Sequence, residues 1–420
     1  LESAADSAGW GRWSFLGFEP SLELTCKDGI LQIRQDDNVT SRIQPPADAL
    51  RDILARHKSP KLPGLPPFTG GLVGYFSYDY IKYAEPSLKL HAKDQEHFKD
   101  MDLMLFRSVI AFDNYRQKMV LITNADADDL DLSYPAACAQ LDRMAELLRH
   151  GEPLPHQPAR LTTPVTPLFD QQAYCAMVER AKHHIREGDI FQVVLSNRLE
   201  AGFQGSLLDV YRILRTTNPS PYLFYFTSDD MELAGASPET LVKLEDGVLH
   251  TFPLAGTRPR GKTPAEDEAL EAELLADEKE LAEHNMLVDL GRNDIGKISR
   301  FGSVSVEQYL SVQRYSHVMH LGSTVRGELR EGMDAVDAID AILPAGTLSG
   351  APKLRAMEII DRLEDNKRGV YGGAIGYLDL TGNLDVCIAI RLAFRKNDKV
   401  FIRSGAGIVA DSVPEKEYQE

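Results

Sequence analysis

Short β-rich runs joined by two-residue turns constrain this chain more than any other feature. In "SLELTCKDGILQIR" apolar and polar residues alternate on both sides of Asp28-Gly29, and "TLVKLEDGVLHTF" does the same around Asp246-Gly247. Turns this tight return the chain antiparallel, because a parallel partner needs a crossover of a dozen or more residues. Two further β-rich runs flank a polar turn in "SVIAFDNYRQKMVLIT". The stretch "GGAIGYLDLTGNLDVCIAIRLAFRKNDKVFIRSGAGIV" reads as one meander turning at Gly-Asn and Asn-Asp. Helical stripes are interspersed in "DALRDILARH" and "YPAACAQLDRMAELLRH". In "DQQAYCAMVERAKHHIREGD", Tyr174, Val178, Ala181 and Ile185 share a face, with Asp170 as N-cap and Gly188 as stop. From Pro264, "PAEDEALEAELLADEKELAEHNMLVDL" reads as one acidic helix. There is no βαβ rhythm and no fixed-period repeat, so the predicted class is α+β with large, mostly antiparallel sheets.

The Pro-rich stretch "GEPLPHQPARLTTPVTP" cannot continue a helix and reads as a connector over 151–168. It divides an N-terminal lobe, 1–150, from a region over 169–420. Net charge is −17, which argues against nucleic acid or an anionic membrane as partner and means that an anionic ligand would need a local positive device. No run approaches the ~18 apolar residues of a membrane span, and no signal-peptide progression is visible. The first residue is Leu1 rather than Met, which suggests residues missing upstream. Cys26, Cys138, Cys175 and Cys387 are scattered without metal spacing, as expected of reduced thiols in a cytoplasmic protein.

Two Glu-x-x-Glu pairs stand out, Glu280 with Glu283 and Glu417 with Glu420. On a helix each pair projects from one face, and a solvated acidic face is the common reason for such spacing. In a cleft the same carboxylates would raise one another's pKa unless a hard cation such as Mg2+ neutralised them. Gly405 and Gly407 in "SGAGIV" follow a β-run and allow either a turn or close backbone approach to an anion. Glu239 in "GASPETL" stands at a strand end as a general acid or a turn-capping residue. His317 and His320 in "YSHVMHLGS" have odd spacing, so only one of them is expected to face a site. "PAGTLSGAPK" offers Thr347, Ser349 and Lys353 as an anion cradle, without Walker spacing.

Together the stretches "FQVVLSNR", "NPSPY", "ASPE", "PLAGTRPRG", "DEKELAEHNMLVDLGRNDIG", "VMHLGSTVRG", "PAGTLSGAPK", "GGAIGY", "CIAIRLAF" and "SGAGIVADSVPEKEYQE" resemble the chorismate-utilising enzymes, and among them the large subunit (component I) of anthranilate synthases. The resemblance covers Asp170 to Glu420 and reaches the first lobe through "LES", "GRWSFLG" and "PFTGGLVGY". It implies two large antiparallel sheets packed as a sandwich, helices outside, and two interleaved lobes with the site in the cleft between them. It further implies that Glu283 and Glu420 bind Mg2+ directly, with Glu280 and Glu417 acting through water. Arg391 and the backbone around Gly405, Ala406 and Gly407 would hold the enolpyruvyl carboxylate of chorismate, and Gly256, Thr257, Thr347 and Tyr371 would line the substrate. Glu239 matches the general acid for the departing C4 hydroxyl, and His320 the histidine that assists loss of pyruvate.

Two positions discriminate within the family. Members that add water carry a Lys where this chain has Gln192, because water needs a general base, whereas ammonia is already a competent nucleophile. Aminodeoxychorismate synthases carry a nucleophilic Lys where this chain has Ala255. Ammonia is therefore expected at C2, giving anthranilate and pyruvate for tryptophan biosynthesis. The alternatives are an aminodeoxychorismate synthase component I and an enzyme that stops at aminodeoxyisochorismate. No glutaminase-like segment is visible, which implies a separate glutamine amidotransferase subunit. The resemblance also implies feedback inhibition by tryptophan, bound between Ser3 of the "LES" segment and Asn218, Pro219, Ser220, Pro221 and Tyr222. The alternative for these segments is a Pro-rich turn and a frayed terminus.

Overall fold

The structure, a computed structural model, describes residues 1–3, 11–153, 155, 157–314 and 318–419. A twelve-stranded sheet and an eight-stranded sheet face one another, and a three-stranded sheet flanks them. Neighbouring strands pair antiparallel throughout, as the tight turns require. The larger sheet interleaves both parts of the chain. Its strand Gly71–Phe76 pairs with Met101–Phe106 on one side and with Ala374–Asp379 on the other.

Side-chain alternation sorts the layers. In Gly71–Phe76, Leu72 and Phe76 join one core, while Tyr75 joins another. Met101, Leu103 and Leu105 go with the first, Met104 and Phe106 with the second. The first core lies under helices Pro46–Arg56 and Ala335–Ile342, through Leu50, Ile53, Val336 and Ile339. The second fills the space between the sheets, where Tyr75 and Met104 meet Phe224, Leu233, Phe394 and Phe401. A third lies behind the smaller sheet: Val193, Leu195, Ala406 and Ile408 pack on Tyr174, Met177 and Val178 of helix Gln171–Arg186 and on Ile359 and Ile360 of helix Lys353–Glu364. The period of two thus builds the expected sandwich, with helices outside.

Several local expectations are corrected. The stretch from Pro264 forms two helices, Pro264–Ala276 and Glu278–Gly296. Asp277 separates them, because its side chain caps the second by accepting from the Lys279 and Glu280 backbone N–H groups. The C-terminal meander is shared between sheets. Ala374–Asp379 and Leu384–Ile388 belong to the larger one, Leu392–Lys396 and Lys399–Ile408 to the smaller. The crossing is made at Arg391, a non-glycine residue with φ +50°. The connector contributes Arg160–Leu161 and Thr166–Pro167, which pair with the long strand Gln192–Gln204. No helix among the described residues is long and apolar enough to cross a membrane.

Candidate active site and a second pocket

The sheet crossing brings Glu239 and Arg391 together. Glu239 lies between strands Glu232–Ser237 and Thr240–Glu245. Its carbonyl accepts from the Ile388 N–H at 2.9 Å, and the Arg391 carbonyl accepts from Ala236 at 3.0 Å. Thr347 Oγ1 donates to Glu239 Oε1 at 3.3 Å. Burial pushes the Glu239 carboxyl up to about 7, opposed by the Thr347 hydrogen bond and the Arg391 charge. An acid in this range holds a proton near neutrality and can give it away.

His320 approaches the same group of residues from strand Val318–Glu328. Its Nδ1 lies 3.0 Å from the Gly256 carbonyl and 3.1 Å from Thr257 Oγ1. A carbonyl only accepts, so Nδ1 carries the proton and Nε2 the lone pair. Burial lowers the imidazole pKa, the Gly256 hydrogen bond raises it, and Arg391 lowers it further. Arg391 therefore acts on the acid and the imidazole alike. Gly256 sits in a β-bulge with φ +65°, and a Cβ there would come 3.2 Å from Glu280 Oε2. His317 lies outside the described residues.

Tyr371 and Gln192 gather at Gly405 and Gly407, while the side chain of Ala406 between the two glycines turns into the core behind the smaller sheet. Val194, Leu195 and Ser196 pair with Gly407, Ala406 and Gly405. A Cβ on Gly405 would lie 3.1 Å from the Tyr371 hydroxyl, and one on Gly407 only 2.7 Å from Gln192 Nε2. Bare backbone thus faces a phenol and an amide. The Thr347 loop links this group to Glu239, since Val193 pairs with Gly350 and the Val194 N–H donates to the Ser349 carbonyl at 2.9 Å.

The anion cradle expected of Ser349 and Lys353 does not form. Ser349 is buried and its Oγ donates to the Ala345 carbonyl, and Lys353 Nζ is paired with Asp294 at 2.7 Å and with the Ile342 carbonyl at 2.9 Å. A buried ammonium needs such partners, and they leave it committed to the helix packing.

Glu280 and Glu283 lie in the first turns of helix Glu278–Gly296, both half-buried, while His284 points into the core and meets Ser323 Oγ at 2.7 Å. Arg258 holds this helix start through Asp277 at 2.7 Å and approaches Glu280 at 3.6 Å. Glu417 is on helix Pro414–Gln419, which packs on helix Gln171–Arg186 with Tyr418 against Tyr174. Glu420 lies outside the described residues. Among the described residues no group of three or more His, Cys, Asp or Glu side chains is assembled as a metal site. Glu280, Glu283 and Glu417 each offer carboxylate oxygen, the kind of donor that a hard divalent cation takes.

A separate cavity of about 650 Å³ opens between the start of the first lobe, strand Tyr222–Thr227 of the smaller sheet and the larger sheet, lined in part by Ser3, Trp13, Phe15, Pro221, Tyr222 and Asp385. The two segments expected to bind tryptophan meet here, because Glu2 and Leu223 exchange backbone hydrogen bonds of 2.9 and 2.8 Å. Ser3 Oγ is buried without a hydrogen-bond partner among the described residues. Asn218 ends helix Leu208–Thr217, and its carbonyl accepts from buried Ser220 Oγ; with Pro219 these residues lead into the pocket wall. The Tyr222 hydroxyl contacts Asp385 at 2.7 Å and Thr240, the neighbour of Glu239, at 2.9 Å. No sequence pattern pointed to Asp385 or Thr240. They are brought to Tyr222 by the pairing of Thr240–Glu245 with Leu384–Ile388.

A family model described as chorismate binding enzyme matches residues 4–420. Over its whole length the chain is 44% identical to anthranilate synthase component 1 of Acetivibrio thermocellus and 46% identical to that of Acinetobacter calcoaceticus, spanning 87% and 86% of those proteins. Among solved structures, anthranilate synthase component I from Streptococcus pneumoniae TIGR4 superposes with a TM-score of 0.87 at 41% identity, covering 100% of this chain and 91% of that one. The menaquinone-specific isochorismate synthase of Escherichia coli shares the fold, with a TM-score of 0.70 at 22% identity, over 97% of this chain and 91% of that one.

Proposed function

The chain belongs to the chorismate binding enzymes, and on that premise we propose that it converts chorismate and ammonia to anthranilate and pyruvate. The observation that carries this reading is Glu239, a half-buried carboxyl that Thr347 touches and whose pKa burial raises to about 7. It gives its proton to the C4 hydroxyl, which leaves as water while ammonia bonds to C2. Gln192 supports ammonia over water as nucleophile, since its amide at Gly407 supplies no base. His320, with its lone pair at Nε2, takes a proton in the elimination that expels pyruvate and aromatises the ring. Arg391 and the backbone at Gly405 and Gly407 hold the enolpyruvyl carboxylate, and Tyr371 and Thr257 border the ring.

Glu280, Glu283, Glu417 and Glu420 are the residues that would hold Mg2+. When bound, the ion supplies charge neutralisation for the ring carboxylate. Ammonia comes from glutamine through a separate amidotransferase subunit, in the cytoplasm. Tryptophan occupies the 650 Å³ pocket, supported by the aromatic lining and by the buried Ser3 hydroxyl, which has no hydrogen-bond partner among the described residues. Its binding inhibits by favouring an arrangement with weaker chorismate affinity, so the coupling is reciprocal.

Incubation with chorismate, ammonium and Mg2+, followed by fluorescence and mass, tests the reading. Equal amounts of anthranilate and pyruvate are expected. A 4-amino product, or accumulation of aminodeoxyisochorismate alone, overturns it. Glu283→Gln should remove the Mg2+-dependent turnover with the fold intact by circular dichroism. Calorimetry should show tryptophan binding that Ser3→Phe removes without changing the uninhibited rate.

A further inference from the structure

Behind the Thr347 loop lies a buried ion cluster that the chemistry above does not use. Glu364, Arg368 and Arg403 are 2%, 2% and 4% exposed. Five hydrogen bonds converge on the Glu364 carboxylate. They come from Arg368 Nε and Nη2 at 3.0 and 2.6 Å, Arg403 Nη2 at 3.0 Å, and Ser196 N and Oγ at 2.8 and 2.9 Å. Two guanidiniums share one carboxylate, an arrangement whose desolvation an apolar side chain would avoid. Packing alone is therefore a poor reason for it.

The remaining bonds of Arg368 show what the cluster holds. Nη1 donates to the Leu348 carbonyl at 2.6 Å and Nη2 to the Val194 carbonyl at 2.7 Å. Leu348 follows Thr347, and Val194 pairs with Gly407. One rigid planar group thus spans from the loop that touches Glu239 to the strand that pairs with Gly405 and Gly407. Tyr78 and Tyr371 hold its plane, with ring centroids 4.6 and 5.8 Å from Arg368 Cζ.

We propose that Arg368 is a positioning residue for the acid Glu239: by clamping the Leu348 carbonyl to the Val194 carbonyl, it holds Thr347 at its contact with the carboxyl. The inference rests on the reading of Glu239 given above. The groups that face this carboxyl are Thr347 from the loop and Arg391 from the sheet crossing, with Asp294 of helix Glu278–Gly296 on the wall of the same small cavity. Thr347 is the member of this set that the clamp controls. Its hydrogen bond favours the ionised carboxyl, so releasing it moves the acid's titration upward.

The test is steady-state kinetics of the full chain with chorismate and ammonium across pH. Arg368→Lys keeps the charge and loses the planar fork. We expect kcat to fall about 10-fold with chorismate KM little changed, and the alkaline limb of kcat to move to higher pH. Thr347→Val should move the limb the same way, and the double variant should move it no further. A purely structural Arg368 predicts lower thermal stability with an unmoved limb, and that result overturns the proposal. If Arg368→Lys does not fold, Tyr78→Leu removes the ring beneath the guanidinium and must shift the limb in the same direction; an unmoved limb there also overturns it. Wild-type protein that makes no anthranilate overturns the reading of Glu239 and this inference together, whereas active wild type with indifferent variants overturns the inference alone.

Discussion

Glu239 is half-buried and Glu364 fully buried, and their acidities move in opposite directions. Among the described residues Glu239 receives one side-chain hydrogen bond, from Thr347, and feels Arg391; burial wins, and its pKa rises to about 7. Glu364 is also penalised by burial, but Arg368, Arg403 and Ser196 surround it and hold its pKa below the usual carboxylate range. Burial sets the cost of a charge, and the number of partners decides whether the charge survives. An under-partnered carboxyl can exchange a proton, and a saturated one can only hold structure.

The comparison breaks most decisively at Glu239. Glu239→Gln should lower kcat by about 10²–10⁴-fold while calorimetry still finds chorismate binding, and full activity would erase the distinction. Glu364→Gln should instead act on stability, because it leaves two buried guanidiniums without their anion. A loss of about 3–5 kcal/mol in urea unfolding is expected, and a loss under 1 kcal/mol would mean that the cluster is effectively hydrated.

Stability against pH sharpens the contrast. The folded pKa of Glu239 lies above its ordinary 4.5, so its contribution is complete below that value and is lost as pH rises through about 7. The folded pKa of Glu364 is depressed, so its contribution is present above 4.5 and is lost as pH falls through the lowered value. Melting curves of Glu239→Gln should therefore lose part of the alkaline decline shown by wild type, with the acid side unchanged. The smallest effect is expected at Asp385, an intermediate case that burial raises to about 6 against the opposing hydrogen bond of the Tyr222 hydroxyl. Tyr222→Phe should cost about 1 kcal/mol, larger at high pH where Asp385 is ionised; equal losses at pH 5 and 8 would remove this hydroxyl from the charge balance.

How much of this was legible varies with the range of the interaction. Asp28-Gly29 and Asp246-Gly247 announced their hairpins because two residues fix the turn geometry, and Asp170 announced its helix because a cap acts within three residues. The interruption at Asp277 was missed, since an acidic helical run looks continuous until one side chain captures the backbone N–H groups of the next helix. Lys353 in a loop before a helix resembled an anion ligand, and a distant partner, Asp294, overrode that reading. Glu364 and Arg368, four apart, look like any exposed ion pair. Their burial depends on the paired strands Gln192–Gln204 and Lys399–Ile408, which carry Ser196 and Arg403, lying over them.

The sequence by itself determined the antiparallel hairpins, the Asp170 helix cap, the absence of a long apolar span, and through its ordered motifs the family, with Glu239, His320, Thr347 and Arg391 as the residues that the resemblance implies. These are properties of neighbours along the chain or of short strings of residues. Only the tertiary structure decided that the last four strands divide between two sheets, that Arg391 at the crossing acts on both Glu239 and His320, and that Glu239 is left with few partners while Glu364 has many. The physical reason is that acidity depends on desolvation and on charges brought close by packing, and sequence separation carries no record of either.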